Sequence, residues 1–296
     1  MSFKKRVTTT FPRRPTAVIL SLTGFIFSLQ PAHGDIACTP IAGAYYAGPY
    51  KGVDNNLSSE DMYQDIYCAN RFKSEKYVNG FITIYGSSRI IENNNQTDKK
   101  IKEENDKLYK EIKELSFKWT KLYSSIYPIM TGAGPGLMEA GSRGAHEAGG
   151  PSIGYTTYYG KSRDGDPKKA FQTYDDPATS TDEQRRIITD GLIFSSVAIR
   201  EYSMILHSAA IIIAPGGTGT EWETFQILES IKSDQLKPVP IYLVGDKNTH
   251  WKSFYDRLED MISRGTFRRH EAYANFVHVD NPLDVLALLE KKLNVK

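Results

Sequence analysis

The chain of 296 residues is short of several things, and each shortage closes off a class of function. It has only two cysteines, Cys38 and Cys68, so at most one disulfide can form, and neither stands in a nucleophile motif. It has little charge imbalance: 37 Lys and Arg against 35 Asp and Glu leave a formal net charge of +2. The basic residues are scattered rather than drawn into the stripe that tracks a phosphate backbone, so nucleic acid is not an expected partner. The six histidines are scattered as well, with no pair at metal-ligand spacing beside a cysteine or carboxylate cluster. No metal and no other cofactor is expected. A G-x-S-x-G elbow, a G-x-x-x-x-G-K-[ST] loop and a repeat at a solenoid period are all missing.

What is there begins with a leader. Lys4, Lys5, Arg6, Arg13 and Arg14 precede the apolar run Ala17 to Leu29, and small residues at Ala32 and Gly34 follow it. This is the layout of a secretory signal peptide over residues 1–34, and the run is shorter than the roughly 20 residues that span a bilayer. Cleavage after Gly34 and export to the periplasm or medium are expected, with no membrane attachment afterwards. Both cysteines lie beyond that point, where an oxidising compartment would allow a Cys38–Cys68 disulfide, two unrelated buried thiols being the alternative. Residues 35–79 form a polar lead-in rich in Tyr and Gly, expected as an appendage with one short helix capped by Ser58 or Ser59.

From residue 80 to 296 the pattern alternates. "GFITIYG" (80–86) suits a buried strand, and Ile101, Leu108, Ile112, Leu115, Trp119 and Leu122 then recur at helical spacing. Strand and helix candidates continue in turn to the helix "PLDVLALLEKKL" (282–293), broken by a polar insertion at about 159–182. Repeated β-α units predict an α/β, Rossmann-like doubly wound parallel sheet with helices on both faces. Such sheets take ligands beyond the carboxyl ends of their strands. Three glycine-rich loops fall there: "GSSR" (86–89), "TGAGPG" (131–136) and "PGGTGT" (215–220).

Glycines let a backbone approach a ligand closely, and the N–H groups opening the next helix attract an anion. "PGGTGT" combines both properties with two hydroxyls, although Thr220-x-x-Glu223 alone also reads as a capping box, with Thr220 as N-cap. Arg200, on the helix ahead of the preceding strand, reads by itself as a solvated or ion-paired residue.

Together, "GSSR", "TGAGPGLMEAGSRGAHEAGG", Arg200 with Met204, and "PGGTGTEWE" resemble the signature blocks of the LOG family. Its members are cytokinin-activating nucleoside 5′-monophosphate phosphoribohydrolases, also described as lysine decarboxylase-like proteins. The resemblance runs from about residue 80 to 293, and PGGxGTxxE is its most specific block. It implies a homodimer that hydrolyses the N-glycosidic bond of an AMP-like nucleoside monophosphate to free base and ribose 5-phosphate. It also implies that Gly216, Gly217, Thr218, Gly219 and Thr220 hold the 5′-phosphate, that Gly86, Ser87, Ser88, Gly134 and Gly136 help bind the nucleotide, and that Arg200 and Glu223 are the catalytic pair. The chain departs from the family pattern at Arg200-Glu201, where Arg-Lys is usual, at Trp222-Glu223, where Glu-Glu is usual, and at 196–198, where Ser-Val-Ala replaces Asp-Met-His. Those departures leave a second reading, a nucleotide-binding module of the same fold without turnover.

Overall fold

The computed structural model describes residues 36–41, 43–92, 96–158, 187–273 and 275–295. The expected leader and the polar insertion lie outside them. Residues Ala37–Lys296 make one compact unit, and none of its described helices is long and apolar enough to cross a membrane.

The β-branched runs become strands β2 (Phe81–Tyr85), β3 (Ile129–Thr131), β4 (Ser152–Thr157), β5 (Asp190–Phe194), β6 (Ser208–Ile213), β7 (Ile241–Val244) and β8 (Val277–Val279). With a short edge strand, β1 (Tyr46–Ala47), they form an eight-stranded sheet in the order β1-β5-β4-β3-β2-β6-β7-β8, and every pairing is parallel. The fold is Rossmann-like, as the alternation predicts. The order runs outward from β2 in one direction through β3, β4 and β5 and then resumes on its other side at β6. The topological switch point therefore lies between β2 and β6.

The helices are α1 (Ser59–Lys76), α2 (Lys99–Tyr123), α3 (Leu137–Glu147), α4 (Val197–His207), α5 (Thr218–Lys232), α6 (Lys252–Ser263), α7 (Arg269–Tyr273) and α8 (Val285–Leu293). Alternation along β2 sorts them. Ile82 and Ile84 pack with Leu108, Ile112 and Leu115 of α2, Leu137 of α3 and Leu289 of α8. Phe81 and Thr83 turn the other way, Phe81 stacking on Phe72 of α1 and Thr83 bonding Ser208. The apolar stripe of α2 is buried in its middle, while its ends at Ile101 and Leu122 stay exposed. A helix of 25 residues is about 37 Å long and overruns strands of three to six residues, so both ends project past the sheet.

Residues 37–79 are built into the core rather than appended to it. β1 extends the sheet beside β5, and Asp65, Cys68, Ala69 and Phe72 of α1 are all buried. Their i, i+3, i+4, i+7 spacing is the mark of a core-facing helix stripe, diluted in sequence by a charged residue and a cysteine. Cys38 and Cys68 are joined as a disulfide with their Cα atoms 5.5 Å apart.

Candidate active site

Backbone hydrogen bonds lace the three glycine-rich loops together at the switch point. The Ser87 amide donates to the Pro215 carbonyl at 3.0 Å, and the Ser87 carbonyl accepts from the Leu137 amide at 2.9 Å. Close approach explains both Gly136 and Gly216. Gly136 sits at φ +73° with its α-carbon against the Ser87 carbonyl, and a β-carbon on Gly216 would collide with the Thr220 side chain. A side chain at Gly136 would push its loop away from Ser87, whereas one at Gly216 would disturb the start of its own helix.

The result is a cleft of about 540 Å³. One wall is Gly86, Ser87, Ser88 and Arg89; another is Gly132, Gly134, Pro135 and Met138; the third is Gly217, Thr218, Gly219 and Thr220, with Arg200 and Glu223 behind them. Of the residues expected from the sequence, Gly136 and Gly216 do not line the cleft. They act one layer back, Gly136 by letting its loop meet Ser87 and Gly216 by making room for the Thr220 side chain. Arg89, Gly132, Pro135 and Met138 line it without having been singled out, and the first of these carried a signal: a lone cation ending a glycine-serine loop.

The capping-box reading fails on geometry. Helix α5 opens at Thr218 with Gly217 as its N-cap and no side-chain cap, so Thr220 lies inside the first turn and Glu223 nearly a turn beyond it. A glycine cap leaves the first-turn N–H groups without a side-chain acceptor. Together with the positive end of the helix dipole, those groups suit an anion. Glu223 is freed from capping and points its chemistry elsewhere.

Arg200 and Glu223 are 7% and 8% exposed, charged groups in places that charged groups rarely occupy. Burial pushes the Glu223 carboxyl up to about 8, and the Arg200 guanidinium pulls against that rise. Arg200 also pairs with the buried Glu201 and packs beside Gly132 of the β3 loop. The hydroxyl of Tyr85, at the end of β2, is buried with no hydrogen-bond partner among the described residues. Its ionisation is pushed well above the usual tyrosine range by burial and then by Glu223, with Arg200 opposing. The tyrosine thus shares the electrostatic neighbourhood of the pair, and its position on a core strand disguised it in the sequence. No group of three or more His, Cys, Asp or Glu among the described residues is arranged to hold a metal ion.

A family model described as "Possible lysine decarboxylase" matches residues 138–289, about half the chain, including the Arg200 and α5 walls of the site. The chain belongs to this family. Membership supports a nucleotide-related function for the cleft, and the matched span includes Arg200 and the whole "PGGTGTEWE" block. A search of curated proteins returns no match. Among solved structures, the chain is similar to the molybdenum cofactor binding protein of the phototrophic bacterium Rippkaea orientalis, at 17% identity and a TM-score of 0.40, covering 72% of this chain and 97% of that one. It is likewise similar to the molybdenum cofactor carrier protein of Chlamydomonas reinhardtii, at 16% identity and a TM-score of 0.44, covering 73% and 98%.

Proposed function

We propose that this member of the possible lysine decarboxylase family hydrolyses a nucleoside 5′-monophosphate to free base and ribose 5-phosphate. The observation that carries the reading is a buried carboxyl, Glu223, held with Arg200 at the back of a cleft whose mouth is an uncapped, glycine-rich helix N-terminus. The amides and hydroxyls of 217–220 receive the 5′-phosphate, with the exposed Arg89 supplying a positive charge. The ribose then lies inward, its anomeric carbon toward Glu223.

Cleavage of an N-glycosidic bond develops positive charge on the sugar, which a nearby carboxylate stabilises. Water adds to the anomeric carbon as the bond to the base breaks and its electron pair leaves with the base. Glu223 takes a proton from that water, and in net the departing base carries one away. A carboxyl whose proton is exchanged near neutrality is matched to this task. Arg200, permanently charged, orients Glu223 and the ribose phosphate rather than moving a proton.

Lysine decarboxylation is less well supported. Pyridoxal phosphate chemistry needs a lysine for the Schiff base, and no lysine lines the cleft among the described residues. The deciding assay follows adenine and ribose 5-phosphate release from AMP, with other monophosphates as alternates, beside calorimetric binding. Turnover that Arg200→Ala abolishes supports the reading; a protein that binds monophosphates and cleaves none replaces it with a nucleotide-binding module. We also propose the homodimer that the resemblance implies, which light scattering of the purified protein would check.

A further inference from the structure

The site's arginine is held from outside the region that the family model matches. Helix α4 begins at its N-cap, Ser196, whose hydroxyl accepts from the Ala198 amide at 3.2 Å and whose carbonyl accepts from the Arg200 amide at 3.1 Å. Arg200 thus sits at the end of the helix's first turn, and its position follows wherever residues 195–196 are placed. Those two residues are placed by acidic groups of the N-terminal segment. Asp65 of α1, fully buried, accepts from the Ser195 amide at 2.7 Å, from the Ser195 hydroxyl at 3.2 Å and from the Tyr46 hydroxyl of β1 at 2.7 Å. Asp54 accepts from the Ser196 hydroxyl at 2.8 Å. The Tyr50 amide donates to the Ser195 hydroxyl at 3.2 Å. A β-carbon on Gly48 would press on both Ser195 and Asp65, so the strap runs as close as a chain can. The far end of α4 is held by the same helix, since Asn70 of α1 meets His207 at 3.1 Å.

We propose that Asp65 and Asp54 are positioning residues for the site: residues 44–76 hold the first turn of α4 and thereby set where Arg200 stands in the cleft. Three features separate this from ordinary packing. A buried carboxylate is costly unless it is satisfied, and this one accepts two bonds from the turn that leads into α4 and a third from Tyr46 of β1. Two acidic residues from separate elements converge on consecutive serines. Those serines open the stretch where Ser196-Val197-Ala198 departs from the family pattern, so the strap stands where the pattern's own residues are missing.

The proposal rests on the reading of Arg200 given above for its effect on catalysis, and the experiment keeps the two apart. Hydrogen exchange is followed by mass spectrometry in the full chain and in Asp65→Asn and Asp54→Ala, the second altering an exposed residue and leaving the core intact. Amides of 196–200 should exchange about tenfold faster in either variant, with those of 218–224 at the parent rate. AMP kinetics then separate positioning from loss of folded protein: kcat per folded molecule should fall about tenfold while KM stays within about twofold, because the phosphate loop on α5 is untouched. Parent-like exchange at 196–200 in both variants overturns the proposal, as does unchanged kcat in an active enzyme. If the parent cleaves no nucleotide, the hydrolytic reading fails and the exchange result alone decides whether the strap holds α4.

Discussion

Replacing Glu223 with glutamine should make the protein both inactive and more resistant to alkali. The side chain keeps its size and can still accept a hydrogen bond, and Glu223 is not a helix cap, so α5 should form as before. What changes is the titration. In the fold the carboxyl is raised from its ordinary 4.5 to about 8 by burial, against the pull of Arg200. A carboxyl raised on folding stabilises most below its unfolded value and loses that contribution as pH climbs through the folded one. Each pH unit well inside the two values costs about 1.4 kcal/mol and less near either end, so between pH 5 and pH 8 the parent should lose roughly 3–4 kcal/mol relative to Glu223→Gln. Urea unfolding at half-unit pH steps reads this directly as a gap opening between two midpoint curves. Turnover of the best monophosphate should fall by about 10²-fold or more, since the charge that steadies the sugar is gone. In the parent, kcat/KM should rise with pH up to the titration of Glu223. Parallel stability curves would refute the account of Glu223 as a desolvated carboxyl, and parent-like turnover would refute its catalytic role.

His207 tests the same physics with the opposite sign. Burial lowers it to about 4 between Tyr155 and Asn70, so its contribution is present above the ordinary 6.5 and lost as pH falls through 4. Relative to His207→Gln, the parent should lose about 3 kcal/mol across that window, read from acid unfolding curves. Reducing the Cys38–Cys68 bond, which spans 30 residues, should cost about 3–4 kcal/mol by chain entropy, seen as a lower Tm in thiol; an unchanged Tm would show that the strap needs no tether. For the leader, mass spectrometry of protein from its native host should find an N-terminus at or near Asp35, and an intact Met1 on soluble protein would end the export proposal.

The alternation of β-branched runs and amphipathic stripes carried the fold class, because strand and helix periods are local properties written residue by residue. Most strands and helices stand where those periods put them, and the glycine-rich loops fall at strand ends as the pattern required. The sequence also held the residues of the cleft, through loop composition for the phosphate wall and through resemblance for Arg200 and Glu223. Local patterns could not say which helix residue begins α5. Thr220-x-x-Glu223 matches a cap in every local respect, yet in the fold the helix starts three residues earlier, with Gly217 as N-cap, and Glu223 is buried. Nor could they expose the lead-in as core. Its stripe of Asp65, Cys68, Ala69 and Phe72 is weakly apolar, and it becomes a core stripe only when β5, α4 and the rings of Phe81 and Tyr155 close around it. The same distance in sequence hides the strap. Asp65 and Ser195 are 130 positions apart, and no period relates them. Order along the chain decides what each segment can become, whereas the burial that raises Glu223 and the contacts that seat Arg200 exist only once distant segments exclude water together.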